Sequence, residues 1–184
     1  GIYAPLISQF HSEKNLLKMR DTYKLVSRWL LVFSIPVSIM LFIFPENILS
    51  LFGDEYLASK NVLLVLTIST LIQAFFGAAS PTLGMSGLPR LVLMNTVIAF
   101  TLNFALNYYL IPLHGILGAA YATLITMTLI GLLRSIQVRL YLKMNFLSFK
   151  MIKPLISGSA TYLALIQAKI YLENFHFFIE LLIG

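Results

Sequence analysis

The residues of this chain that could do chemistry are mostly uncharged. Its three histidines, His11, His114 and His176, stand far apart and show no metal-ligand spacing. Asp54-Glu55 is the one adjacent carboxylate pair, and a solvated turn accounts for it. No Gly-rich phosphate loop, nucleophile elbow or Walker pattern occurs. There are no cysteines, which removes disulfides and thiolate metal sites. No catalytic residue, metal site or cofactor is therefore expected, and nucleotide-driven chemistry has no support.

Three other groups of residues stand out. The first is a set of neutral amides in apolar surroundings: Gln73, Asn95, Asn103 and Asn107. Asn95, Ala99, Asn103 and Asn107 repeat every four residues and so share one helix face. Amides both donate and accept, which suits sugar hydroxyls along a substrate path. Hydrogen bonding between neighbouring helices explains the same spacing. The second group is Arg20, Lys24 and Arg28, a basic face on an amphipathic stretch over His11–Arg28 whose apolar stripe is Leu16, Met19, Tyr23 and Val26. That face could meet lipid phosphates or a pyrophosphate head group, or simply fix the orientation of the chain on the inner leaflet. The third group is Pro36, Pro81 and Gly84, candidate hinges in otherwise helical runs. Small-residue clusters at Gly77–Ser80, Gly115–Ala120 and Ser157–Ala160 would let helices pack closely.

The elements that must carry these residues are membrane helices. Hydrophobic residues make up 59% of the 184 and charged residues only 11%, with a mean hydropathy of +0.87. Soluble domains carry about 25% charged residues, so lipid must cover much of this surface. Spans are expected near Trp29–Leu51, within Asn61–Pro89, near Leu91–Leu110, near Ile116–Leu133 and over Ile152–Leu172. The break between the third and fourth is expected at Ile111-Pro112-Leu113-His114-Gly115. Loop charges follow this division. Eleven Lys and Arg residues fall on one side and two on the other, which puts residues 1–28, the Arg90 loop and the 134–153 loop in the cytoplasm. The net charge of +6 is thereby a topology signal, and no nucleic-acid partner is expected.

The expected fold class is all-α, a polytopic bundle of five spanning helices plus a truncated sixth. Residues 1–28 are read as the cytoplasmic end of a preceding helix plus the amphipathic segment. Residues 29–142 are read as four transmembrane helices, and 143–184 as an additional helix pair. Both ends read as cut: Gly1 is not a natural start, and Phe175–Gly184 falls short of a span.

Several stretches resemble a known family. Ala4-Pro5-Leu6-Ile7-Ser8, the basic amphipathic segment, Arg28-Trp29 and Ser34-Ile35-Pro36 resemble the loop-and-helix unit of polysaccharide flippases. Phe44-Pro45-Glu46-Asn47-Ile48-Leu49-Ser50-Leu51-Phe52-Gly53 continues the likeness, and Asn107 to Thr123, through Leu110-Ile111-Pro112 and Gly115-Ile116-Leu117-Gly118-Ala119-Ala120, is its most specific part. The family is the oligosaccharide flippase branch of the multidrug/oligosaccharidyl-lipid/polysaccharide exporter superfamily, and the resemblance covers about residues 1–142. It implies the C-terminal lobe of a two-lobe, alternating-access transporter in the cytoplasmic membrane. The implied substrate is a polyprenyl-pyrophosphate-linked oligosaccharide for cell-surface polysaccharide assembly. Membrane lipids and polysaccharide polymerase machinery are the implied partners. No family motif carries a cavity residue onto a position here.

Other functions leave different marks. A cation-coupled multidrug exporter of the same superfamily would be expected to hold an acidic residue within a span, and none stands at the centre of these spans, Glu46 lying near the outer end of the first. A membrane-embedded glycosyltransferase or ligase needs a catalytic base in a sizeable outer loop, and these loops are short. A purely structural or assembly subunit would show the same small-residue clusters.

Overall fold

The computed structural model describes residues 3–144 and 156–167, and all the regular structure there is helical. The elements are α1 (Tyr3–Ser12), α2 (Leu16–Ile43), α3 (Pro45–Ser50), a 3-10 turn at Asp54–Ser59, α4 (Lys60–Phe76), α5 (Ala79–Met85), α6 (Pro89–His114) and α7 (Ile116–Leu142). Residues 156–167 form a further helix, α8. Four stretches are long and apolar enough to cross a membrane: Leu16–Ile43, Asp54–Met85, Pro89–His114 and Ile116–Leu142. The fold is therefore an all-α polytopic bundle. The expected fifth span, Ile152–Leu172, is described only over 156–167; the rest of it and the truncated sixth helix lie outside the described residues.

α2 packs on α4, α4 on α7, and α7 on α6, so the long helices form a row with α4 and α7 inside. Burial is uneven along the row, at 28% for α2 on one flank and 22% for the Asp54–Met85 span inside it. In the most apolar window of α7, 33% of residues are buried, against 6% for α6 on the flank. α8 lies against α2, where a Cβ on Gly158 would run into Ile35.

Element boundaries differ from the sequence expectation in four places. The amphipathic segment is not a separate helix. Asn15 starts α2, its Oδ1 accepting from the Lys18 amide at 3.2 Å, and the helix then runs unbroken to Ile43. Of its expected apolar stripe, Met19 and Tyr23 are fully buried and Val26 partly, whereas Leu16 is exposed. The first span stops at Ile43 rather than Leu51, because Pro45 forces Phe44 out of the helical region, to φ −121°, ψ 44°. Pro112 does not break α6. Its fixed φ is itself helical, and one lost backbone bond costs little in a last turn. The chain turns instead at Gly115, whose φ of 59° with ψ of −138° suits only glycine. Finally, α7 continues through Arg134 to Leu142, where Lys143 in the left-handed region ends it.

The best-sealed packing sits at one end of the row. Ile7, Met19, Tyr23, Ala78, Ala79, Leu83, Val138, Leu142 and Met144 form one buried cluster, with Tyr3, Phe10, Val26, Leu88 and Val92 against it. This end also holds Arg20, Lys24, Arg90 and Arg139, so we call it the basic end.

Candidate functional site

Asn95 is buried on the face of α6 that meets α7, and its amide is fully engaged. Its Nδ2 donates to Gln137 Oε1 at 2.6 Å, and Gln137 Nε2 donates back to Asn95 Oδ1 at 2.9 Å. Two turns farther along α6, Asn103 Nδ2 makes a long 3.5 Å contact to Thr126 Oγ1 of α7. Asn107 Nδ2 donates to both the carbonyl and the side-chain oxygen of Asn103, each at 2.8 Å. Asn95 and Asn103 thus form a polar seam between two helices, while Asn107 is bonded within α6. An unpaired amide in hydrocarbon is costly, and the neighbouring helix supplies its partner. Ala99 holds the ladder's remaining place on that face and is partly buried.

Gln73 is not part of this seam. It is on α4, exposed, with its Nε2 3.8 Å from Met127 Sδ, and it lines a cleft of about 200 Å3 between α4, α5 and α7. The cleft's other walls include Phe76, Gly77, Ser80, Gly131 and Arg134. α4 and α7 approach closely there because Gly131 has no side chain; a Cβ would overlap the Phe76 ring. Arg134 Nε and Ser135 Oγ are buried without a hydrogen-bond partner among the described residues.

Sequence reasoning missed both Gln137 and Arg134 as members of these sites. Each was read as a loop residue beyond the fourth span. The available signal was spacing, since Gln137 and Arg134 continue the helical phase of Ile130 and Gly131 rather than starting a turn.

The basic face of α2 is spread over three environments. Arg20 is exposed, while Lys24 and Arg28 are partly buried. None of the three forms an ion pair with a described residue.

The hinge candidates fall at different kinds of position. Pro36 is exposed inside α2, and the helix continues through it. Pro81 and Gly84 are both within α5, so neither is itself the break. The interruption lies one turn earlier, at Gly77–Ala78 between α4 and α5. Its cause is Pro81, which has no N–H for the Gly77 carbonyl and whose ring crowds that carbonyl. α5 is then tied to α1. Thr82 Oγ1 donates to the Ala78 carbonyl at 2.6 Å, which leaves Tyr3 O–H to donate to Thr82 at 2.5 Å.

These features can be compared with known proteins. The profile of the MatE family matches residues 3–109. "Probable flippase AglR" of Haloferax volcanii is 31% identical over 131 residues, covering 68% of this chain and 27% of that protein. "Probable low-salt glycan biosynthesis flippase Agl15" of the same organism is 31% identical over 122 residues, covering 65% and 25%. The match thus spans about a quarter of the length of these relatives. No solved structure matches the chain. The α1–α6 region, with its interrupted second span and apolar helices, carries the family match, and the chain belongs to the MatE family of multi-pass membrane proteins.

Proposed function

We propose that the protein containing this chain is a flippase that moves a lipid-linked oligosaccharide across the membrane by alternating access. Family membership and the names of its relatives point to a transporter rather than an enzyme. The observation that favours a sugar-lipid cargo is the kind of polar group found at membrane depth. The helices α4 to α7 hold amides and hydroxyls there, with the partly buried Arg134 guanidinium toward the basic end, and no Asp or Glu. Those groups hydrogen-bond sugar hydroxyls and phosphate oxygens, whereas a cation-coupled exporter calls for a carboxylate. On this reading the exposed Gln73 is the amide most open to cargo. Asn95, Asn103 and Asn107 keep the wall behind it in register.

Orientation belongs to the same proposal. The basic end faces the cytoplasm, where Lys and Arg collect, and Arg20, Lys24 and Arg28 sit at the level of the inner head groups.

Deleting the gene should trap lipid-linked oligosaccharide on the cytoplasmic leaflet, as read by leaflet-specific labelling of the glycan; unchanged export rejects the function. The chain has no cysteine of its own, so with any cysteines outside it replaced, single cysteines at Lys18, Arg90, Lys143 and Lys60 report sidedness. The first three should react only from the cytoplasmic face and the fourth only from outside. Lys18 and Lys143 reacting from opposite faces would reject the topology.

A further inference from the structure

Arg134 differs from the other arginines of the basic end. Arg90 and Arg139 are exposed, as side chains reaching for water should be. Arg134 is instead partly buried, with its Nε sealed and unpartnered, and it opens on the cleft lined by Gln73 and Ser80. No carboxylate forms an ion pair with it among the described residues; their one salt bridge joins Lys60 to Glu46 at the other end.

Its depth is informative. The apolar run Ile116–Leu133 covers roughly 27 Å at 1.5 Å per residue, close to the ~30 Å of a hydrocarbon core. Arg134 follows directly, at the level where phosphates of the adjoining leaflet lie. A guanidinium held in low dielectric without a counter-charge is costly. A phosphate matches its planar fork with two oxygens at once. Gln73 and Ser80 add an amide and a hydroxyl donor to the same cleft. A volume of about 200 Å3 has room for a phosphate.

We propose that the cleft between α4, α5 and α7 is a binding site for a lipid-borne phosphate, held by Arg134 with Gln73 and Ser80. The acyl or prenyl chain would run down the exposed side of the cleft. This site is separate from the amide seam but shares Gln73 with the cargo path proposed above, and it rests on that reading where the phosphate is the carrier's.

The test uses the full-length protein, purified in detergent and examined by native mass spectrometry with two probes. These are phosphatidylglycerol and geranylgeranyl pyrophosphate. Arg134→Gln should lower retention of bound probe about tenfold, the loss expected for a charge-assisted bidentate contact. Arg134→Lys should retain part of the binding, and the exposed neighbour Arg139→Gln should change nothing. Loss of both probes marks a general phospholipid site, and loss of the pyrophosphate alone marks a site for the polyprenyl carrier. Unchanged retention in Arg134→Gln, or an equal loss in Arg139→Gln, overturns the proposal. Should Arg134→Gln fail to fold, Gln73→Leu and Ser80→Ala on the opposite walls carry the same test, each with an expected two- to threefold loss. No loss in either of them overturns it equally.

Discussion

At the basic end Ile7, Met19, Tyr23, Ala79 and Leu83 are sealed from solvent, whereas at the opposite end Leu51, Phe52, Leu113 and Ile116 are largely bare. The first region gathers α1, α5 and the ends of α2, α6 and α7 around shared apolar contacts. The second has an exposed salt bridge, Lys60 to Glu46 at 2.7 Å, and the hairpin at Gly115. The same chain thus uses two solvents. At the basic end it builds an interior as a soluble protein does, where apolar side chains facing water would cost free energy. Along the spans, lipid is as apolar as leucine, so exposure carries no such penalty and helices join through close packing and polar pairs.

This contrast can be broken by substitution, and the largest effect should come from the basic end. Tyr23→Ala removes a fully buried ring from the cluster and should cost about 3–5 kcal/mol, as a core aromatic truncation does. It would be read as early thermal unfolding in detergent. A normal melt would show that the cluster is not a core. Asn95→Leu leaves Gln137 without its partner and should cost about 1–2 kcal/mol. The double variant Asn95→Leu/Gln137→Leu should recover most of it, and equal loss in single and double variants would deny the pairing. Thr82→Val removes the hydroxyl joining α5 to Tyr3 and should cost about 1 kcal/mol, measured by the same melts. Phe104→Ala, on the bare face of α6, should stay within about 0.5 kcal/mol. A larger loss there would mean that this face is covered by protein rather than lipid.

The long apolar runs were legible in the sequence because span length and charge depletion are set by the bilayer itself. Gly115 was legible as part of a turn, though Pro112 was credited with a share in a break that glycine makes alone. The errors share a cause. Charges mark where a helix leaves hydrocarbon, not where it stops being a helix, so treating Arg134 as a loop cut α7 short and hid Gln137. In the same way, Pro81 acts on the carbonyl four residues before it, so the interruption lies at Gly77–Ala78 and not among the Pro and Gly residues that announce it. The amide spacing on α6 was visible, but its partners on α7 were not. Which of two readings holds for an Asn ladder depends on what the neighbouring helix offers, and periodicity on one helix is silent about that.

The two-way amide clasp between Asn95 and Gln137 has a mechanical consequence. A slip of α6 along α7 by a single residue, about 1.5 Å, would open both of its bonds. At the other end of the hairpin, Gly118 sits so close to the Leu110 carbonyl that a methyl group could not be inserted. Fastened at both extremities, α6 and α7 travel as one plank. The helical path is interrupted elsewhere, at the two-residue gap ahead of Pro81.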